Sequence, residues 1–199
     1  MAEADIRAVI FDMGGVFIRT EDKGPRQRLA ERLGLPVERL LFEVFDSPSA
    51  NLALVGKIDE NEHWQNIGKA LGLAGEDLAQ FQREFWAGDR WDKEIIDFLR
   101  SLRPAYKTAL LSNAWSGLRR VLTEVYPSMD AFDVQVISAE VGLAKPEAAI
   151  YHLVLERLGV HPAQAVFVDD FIENIEAASA LGIRAVRFTS AAQALTDVR

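Results

Sequence analysis

Apolar residues fall along this chain in two rhythms. Three short runs, Ala8-Val9-Ile10-Phe11, Thr108-Ala109-Leu110-Leu111 and Ala165-Val166-Phe167-Val168, show no polar alternation. Continuous runs of this kind predict strands covered on both faces, as in a parallel sheet. Between the first two runs the apolar positions recur at helical spacing. Helices are expected over 26–33, closing at Gly34, and over 36–44 with Pro36 in the first turn. A third starts at Asp59, with an acid three residues on, and reaches about Leu71; a fourth covers 75–87. Trp64, Phe81, Phe85 and Trp86 share this spacing and are expected to pack together.

From residue 91 onward the rhythms alternate. Helices are expected over 91–103, 116–124, 146–158 and 172–181, and strands over 107–112, 133–137, 165–168 and 184–188. The alternation predicts an α/β fold with a doubly wound parallel sheet. The four helices of 19–88 contain no convincing strand. They read as a cap inserted after strand one, leaving a core of 1–18 and 89–199.

The strands end on polar groups: Asp12 after the first, Ser112 and Asn113 after the second, Asp169 and Asp170 after the third. Ligands of open α/β sheets bind beyond the carboxyl ends of strands, where the strand order reverses. Carboxylates at buried strand ends are costly unless a cation or a reaction uses them. Lys145, followed by Pro146, adds an ammonium. The inventory suits a divalent metal holding a phosphate near a nucleophile.

Composition narrows the rest. With 199 residues, 49% hydrophobic and 26% charged, the chain can bury a core that needs no staples. It has no cysteine, which excludes disulfides and thiolate metal sites. Its three histidines are scattered and make no zinc site. A net charge of −8 argues against a nucleic-acid or anionic-membrane surface. No stretch approaches the ~18 apolar residues of a membrane span. The start, Met1-Ala2-Glu3-Ala4-Asp5, is acidic and unlike a secretory signal, so a cytoplasmic location is expected.

Four motifs in order resemble the haloacid dehalogenase-like hydrolase superfamily, whose members are mostly phosphatases. They are Phe11-Asp12-Met13-Gly14-Gly15-Val16, Leu111-Ser112-Asn113, Lys145-Pro146 with Ile150-Tyr151, and Phe167-Val168-Asp169-Asp170 with Asn174. The nearest subgroup looks like sugar-phosphate phosphatases, glucose-1-phosphate phosphatases among them. The resemblance implies a Rossmann-like core with a helical cap and a Mg²⁺-dependent phosphatase acting on a small phosphorylated metabolite, with a sugar phosphate as one candidate. It makes Asp12 the nucleophile, and Asp12, the Gly14 carbonyl and Asp169 the metal ligands. Ser112, Asn113 and Lys145 then handle the phosphoryl group. Asn174 supports the loop; Asp170 either binds the metal through a water or holds Lys145 and the loop, with capping of the helix near Ile172 by one of the aspartate pair as the alternative. Lys57 and Trp115 are candidates for contacting substrate, and Arg19 for lining the entrance.

One departure stands out. Most family phosphatases read Asp-x-Asp in the first motif, and the second aspartate is the general acid. Here that position is Gly14. General acid–base help is worth about 10²–10⁴ in rate. Three consequences are open: a slower enzyme or one favouring good leaving groups, such as an anomeric or acyl phosphate; a proton donor from the cap, where Glu60, Glu62 and His63 are candidates; or binding without turnover. A 2-haloacid dehalogenase is a weaker alternative, because that branch carries an aromatic residue at this position and needs no metal.

Overall fold

The main sheet has five parallel strands in the order β5-β4-β1-β6-β7. They are β1 (Ala8–Phe11), β4 (Lys107–Ser112), β5 (Val134–Ile137), β6 (Ala165–Asp169) and β7 (Arg184–Arg187). This computed structural model describes residues 5–198; the acidic stretch Met1-Ala2-Glu3-Ala4 lies outside the described residues. The continuous apolar runs have the expected cause. Val9, Phe11, Leu110, Val166 and Val168 pack on one face with α6 (Lys93–Leu102) and α11 (Ala191–Asp197). Ala8, Ile10, Ala109, Leu111 and Phe167 pack on the other with α9 (Ala148–Leu158) and α10 (Ile172–Ala180).

The chain builds outward from β1 on one side through β4 and β5, then returns to the other side for β6 and β7. The order therefore reverses around β1. Phe11 pairs with Leu110 on one neighbour and Val168 on the other. Asp12 and Asp169 are thus the next rung on adjacent strands, which lie about 4.8 Å apart across the sheet.

Five helices, one more than expected, form a second layer: α1 (Gly24–Leu33), α2 (Val37–Leu41), α3 (Pro48–Leu54), α4 (Glu60–Leu71) and α5 (Gly75–Phe85). They share an apolar cluster built on Leu29, Leu40, Val44, Trp64, Ile67, Phe81 and Phe85. The added helix, α3, is too short to show a period. Ser47 caps it by accepting the Ala50 N–H at 3.3 Å, and Pro48 opens its first turn. Helix α2 runs into a wider π-type turn over Phe42–Asp46. The Val44 carbonyl there accepts from His63 Nε2 at 3.0 Å. That bond fixes the proton on Nε2, so His63 Nδ1 accepts from the Ser49 hydroxyl at 2.9 Å.

The layers join where no strand was expected. β2 (Ile18–Thr20) and β3 (Asp89–Trp91) pair antiparallel, three residues each, too few for a visible alternation. Side chains brace the pair. Arg19 donates to Asp92 at 2.7 Å, Thr20 to Asp89 at 2.7 Å, and Arg26 to Asp89 at 3.0 Å. Arg19, expected at the entrance, is a brace of this joint. Helix α9 starts at Ala148, two residues later than expected, after a turn closed by the Glu147 N–H on the Ala144 carbonyl. No helix among the described residues is long and apolar enough to cross a membrane.

Candidate active site

The polar strand ends meet at one rim beside β1. Asp12, Asp169 and Asp170 offer carboxylate oxygens that all lie within 4.8 Å of one another. The Lys145 ammonium sits between two of them, 2.7 Å from Asp12 Oδ1 and 2.6 Å from Asp169 Oδ2. Lys145 and Asp169 are buried and Asp12 is 6% exposed. Burial pushes the Asp12 carboxyl up to about 7; Lys145 opposes this rise and the neighbouring Asp169 adds to it.

Asp169 is held from all sides. Besides Lys145, it accepts from the Phe171 N–H at 2.8 Å and from Asn174 Nδ2 at 3.1 and 3.0 Å. Tyr151, beneath, donates its hydroxyl to the Asn174 carbonyl at 3.0 Å. Asn174 thus bonds Asp169 directly. Asp170 does not cap α10, since no side chain caps that helix. Its carboxylate lies against Gly15, where a Cβ would fall 2.1 Å from Oδ2. Gly15 also has φ +73, so the position needs glycine on two counts.

The Asn113 side chain bonds the backbone of Lys145. Its amide Nδ2 donates to the Lys145 carbonyl at 2.9 Å, and its Oδ1 accepts the Lys145 N–H at 2.8 Å. Both ends of the side chain are committed to one peptide segment, so Asn113 positions Lys145. Ser112 is buried at the last residue of β4. Behind them Ser138, a residue the sequence reading passed over, accepts the Ala114 N–H at 2.9 Å and donates to its carbonyl at 3.1 Å. The only sequence signal was a serine directly after the β5 apolar run.

Lys57 and Trp115 take no part in the contacts of this cluster. Lys57 is exposed, next to Gly56, which presses on the Ala139 backbone. Trp115 packs among the cap residues, its ring 4.6 Å from His63 and 5.9 Å from Trp64. The cap proton donors fare unequally. Both ring nitrogens of His63 are bonded, and burial lowers its pKa, so it is neutral and occupied. Glu62 is exposed. Glu60 lies over Gly117 and accepts from Trp64 Nε1 at 3.3 Å, while its backbone N–H donates to the Ser116 hydroxyl at 3.2 Å. Of the four aromatics expected in the cap's core, Trp64, Phe81 and Phe85 are buried and Trp86 is 37% exposed.

The donor set fits a divalent cation. Three carboxylates face one ammonium, leaving an excess of negative charge. Asp170 Oδ1 is buried without a hydrogen-bond partner, and such an oxygen costs about 1–3 kcal/mol. Burial first, and Asp169 second, raise the Asp170 carboxyl. All donors are hard oxygens, which suit Mg²⁺ better than zinc.

A family model for haloacid dehalogenase-like hydrolases matches residues 6–182. A phosphorylated carbohydrates phosphatase of Thermotoga maritima is 31% identical over 91% of this chain and 84% of its own. A sesquiterpene phosphatase of Aspergillus oryzae is 28% identical over 97% of this chain and 95% of its own. A crystal structure of a family enzyme from Bacteroides thetaiotaomicron, in complex with magnesium and inorganic phosphate, shares the fold. Its TM-score is 0.78 at 23% identity, covering 94% of this chain and 96% of the other. The chain also matches the bifunctional epoxide hydrolase 2 of rat, at 26% identity, and spans 38% of its length.

Proposed function

Because the chain belongs to the haloacid dehalogenase-like hydrolases, we propose that it hydrolyses a phosphate monoester of a small metabolite through an aspartyl phosphate on Asp12. The observation that carries this reading is the buried cluster of Asp12, Asp169 and Asp170 around the Lys145 ammonium. Asp12, Asp169 and the Gly14 carbonyl would hold Mg²⁺. When bound, that ion offsets the repulsion between carboxylate and phosphate and polarises the phosphoryl oxygens. Asp170 supports the set from the side of Gly15.

The protein's own groups then have separate tasks. One oxygen of Asp12 attacks phosphorus while the ester oxygen leaves with the electron pair of its P–O bond. Lys145 favours the ionised form of Asp12 against the pull of burial, orients it, and neutralises charge on the phosphoryl group. Asn113 and Ser138 fix the two loops that frame that group. Water then cleaves the acyl phosphate, returning Asp12 and releasing phosphate. Residues 19–88 act as a cap that excludes water in the first step and admits it for the second.

Two kinds of alcohol suit this reading, because one relative is a phosphorylated carbohydrates phosphatase and another a sesquiterpene phosphatase. The general test is p-nitrophenyl phosphate, whose leaving group needs no acid. Turnover is expected with Mg²⁺ and not with EDTA. The alternative that Gly14 leaves open, a non-catalytic phosphate-binding protein, would bind inorganic phosphate with Mg²⁺ and turn over nothing.

Position 14 itself allows a sharper measurement. A Cβ built on Gly14 meets nothing within 4 Å, and Gly14 is not among the glycines with positive φ. Gly14→Asp should therefore fold like wild type. It is expected to raise turnover of an alkyl phosphate by on the order of 10²-fold. The gain on p-nitrophenyl phosphate should be far smaller. Equal gains on both substrates would remove proton donation as the explanation.

A further inference from the structure

Several large apolar side chains on the cap and on the loops of the rim are exposed or only partly buried. Trp115 stands three residues past Ser112, and Phe171 two residues past Asp169. Phe171 is 61% exposed although its own N–H is fixed on Asp169 at 2.8 Å. Ile172 beside it is exposed as well. On the cap, Phe45 (42% exposed) and Trp86 (37%) are exposed too. The Phe45 ring lies 6.3 Å from Trp115, tilted by only 23°, and 5.8 Å from Trp86; Trp86 is 6.4 Å from Trp115.

These rings are held in place. The Arg26 guanidinium sits 4.3 Å from the Phe85 ring, 5.6 Å from Trp86 and 5.7 Å from Phe45. It is anchored in turn by Asp89 at 3.0 Å and the Phe85 carbonyl at 3.1 Å. Phe45 also lies in the π-type turn of α2, an irregularity that recurs at functional sites. Two solvent-facing rings, Phe45 and Trp86, are fixed from behind and lie against Trp115, which stands three residues past the phosphate-handling strand end; such a set suits a flat apolar ligand better than a polyhydroxylated one.

We propose that the organic part of the substrate is a flat, apolar group of the aryl type, and that Phe45, Trp86 and Trp115 receive it. This rests on the phosphatase reading above and names its substrate class. The missing side chain at position 14 agrees with it. A phenolic oxygen has a pKa of about 10 and leaves as phenolate with the P–O electron pair, taking its proton later from water. Such a leaving group needs no acid from the protein.

The test separates binding from reactivity. Calorimetry on the Asp12→Asn protein with Mg²⁺ compares 1-naphthyl phosphate with glucose 6-phosphate. Both carry the same phosphoryl group and neither turns over. The naphthyl ester is expected to bind at least about tenfold tighter. In the otherwise wild-type enzyme, Phe45→Ala and Trp86→Ala should each raise KM for 1-naphthyl phosphate several-fold more than KM for acetyl phosphate, which has no flat apolar group. Equal or tighter binding of glucose 6-phosphate, or equal losses on both substrates, would overturn the proposal. If p-nitrophenyl and acetyl phosphate are not turned over at all, the phosphatase reading fails, yet the calorimetry still decides whether the aromatic surface selects its ligand. No binding of either ester would overturn that selection.

Discussion

Asp12→Asn is expected to reduce turnover of p-nitrophenyl phosphate to background, on the order of 10⁴-fold or more, and yet to stabilise the metal-free protein. The two effects share one cause. Asp12 lies in a buried cluster with more carboxylates than ammonium groups, and burial pushes its carboxyl from 3.8 up to about 7. The folded state therefore holds the Asp12 proton more tightly than the unfolded chain does. Its stabilising contribution is full below pH 3.8 and is lost as the pH rises to about 7. Above that the ionised carboxylate costs on the order of a few kcal/mol. Asparagine keeps the shape and removes the cost.

Melting curves in EDTA from pH 4 to 8 should therefore show the variant gaining on wild type as pH rises. Added Mg²⁺ should stabilise wild type more than the variant, because an ion bound only to the folded state raises stability by mass action. A variant that melts below wild type in EDTA at pH 8 would show that the carboxylate is not a burden there.

Lys145→Met should do damage on both counts. The substitution keeps most of the side chain's packing and removes the ammonium that bridges Asp12 and Asp169. Breaking a buried ion pair by removing one partner costs about 3–5 kcal/mol. For a chain of this size that is roughly a 10 °C fall in melting temperature. Turnover should drop on the order of 10³-fold, since both the orientation of Asp12 and the neutralised phosphoryl charge are lost. Lys145→Arg should not restore it, because a planar fork cannot occupy a point between two carboxylates 2.6 and 2.7 Å away. A melting temperature in EDTA unchanged by Lys145→Met would mean that the ammonium does not hold the carboxylates together.

Much of this was legible in the sequence for a physical reason. A parallel strand buried on both faces leaves an unbroken apolar run, so its end is marked by the first polar residue. That is why Asp12, Ser112 and Asp169 were visible as a convergent set. What stayed hidden depends on groups without a sequence period. The β2–β3 pair is too short to alternate, and α3 too short to show a stripe. Asn113 bonds the backbone of a residue 32 positions away, and a backbone partner leaves no signature in side-chain type. Trp86 continues the helical spacing of Phe81 and Phe85, but α5 ends at Phe85, so the next ring escapes the buried face.

The β2–β3 pair also determines how the helical layer can travel. The chain passes between layer and sheet at these two segments, and they are bonded to each other along Ile18–Trp91, Arg19–Arg90 and Thr20–Asp89. Two strands tied edge to edge form a ribbon, which bends readily out of its plane and resists shear within it. The layer is therefore left with a swing rather than a slide. Its far side meets the core where Gly56 of the cap lies against the Ala139 carbonyl and where the Glu60 carboxylate lies over Gly117. Trp115 and the Glu60–Ser116 hydrogen bond close that edge as well, so a swing has to break them while the ribbon only flexes.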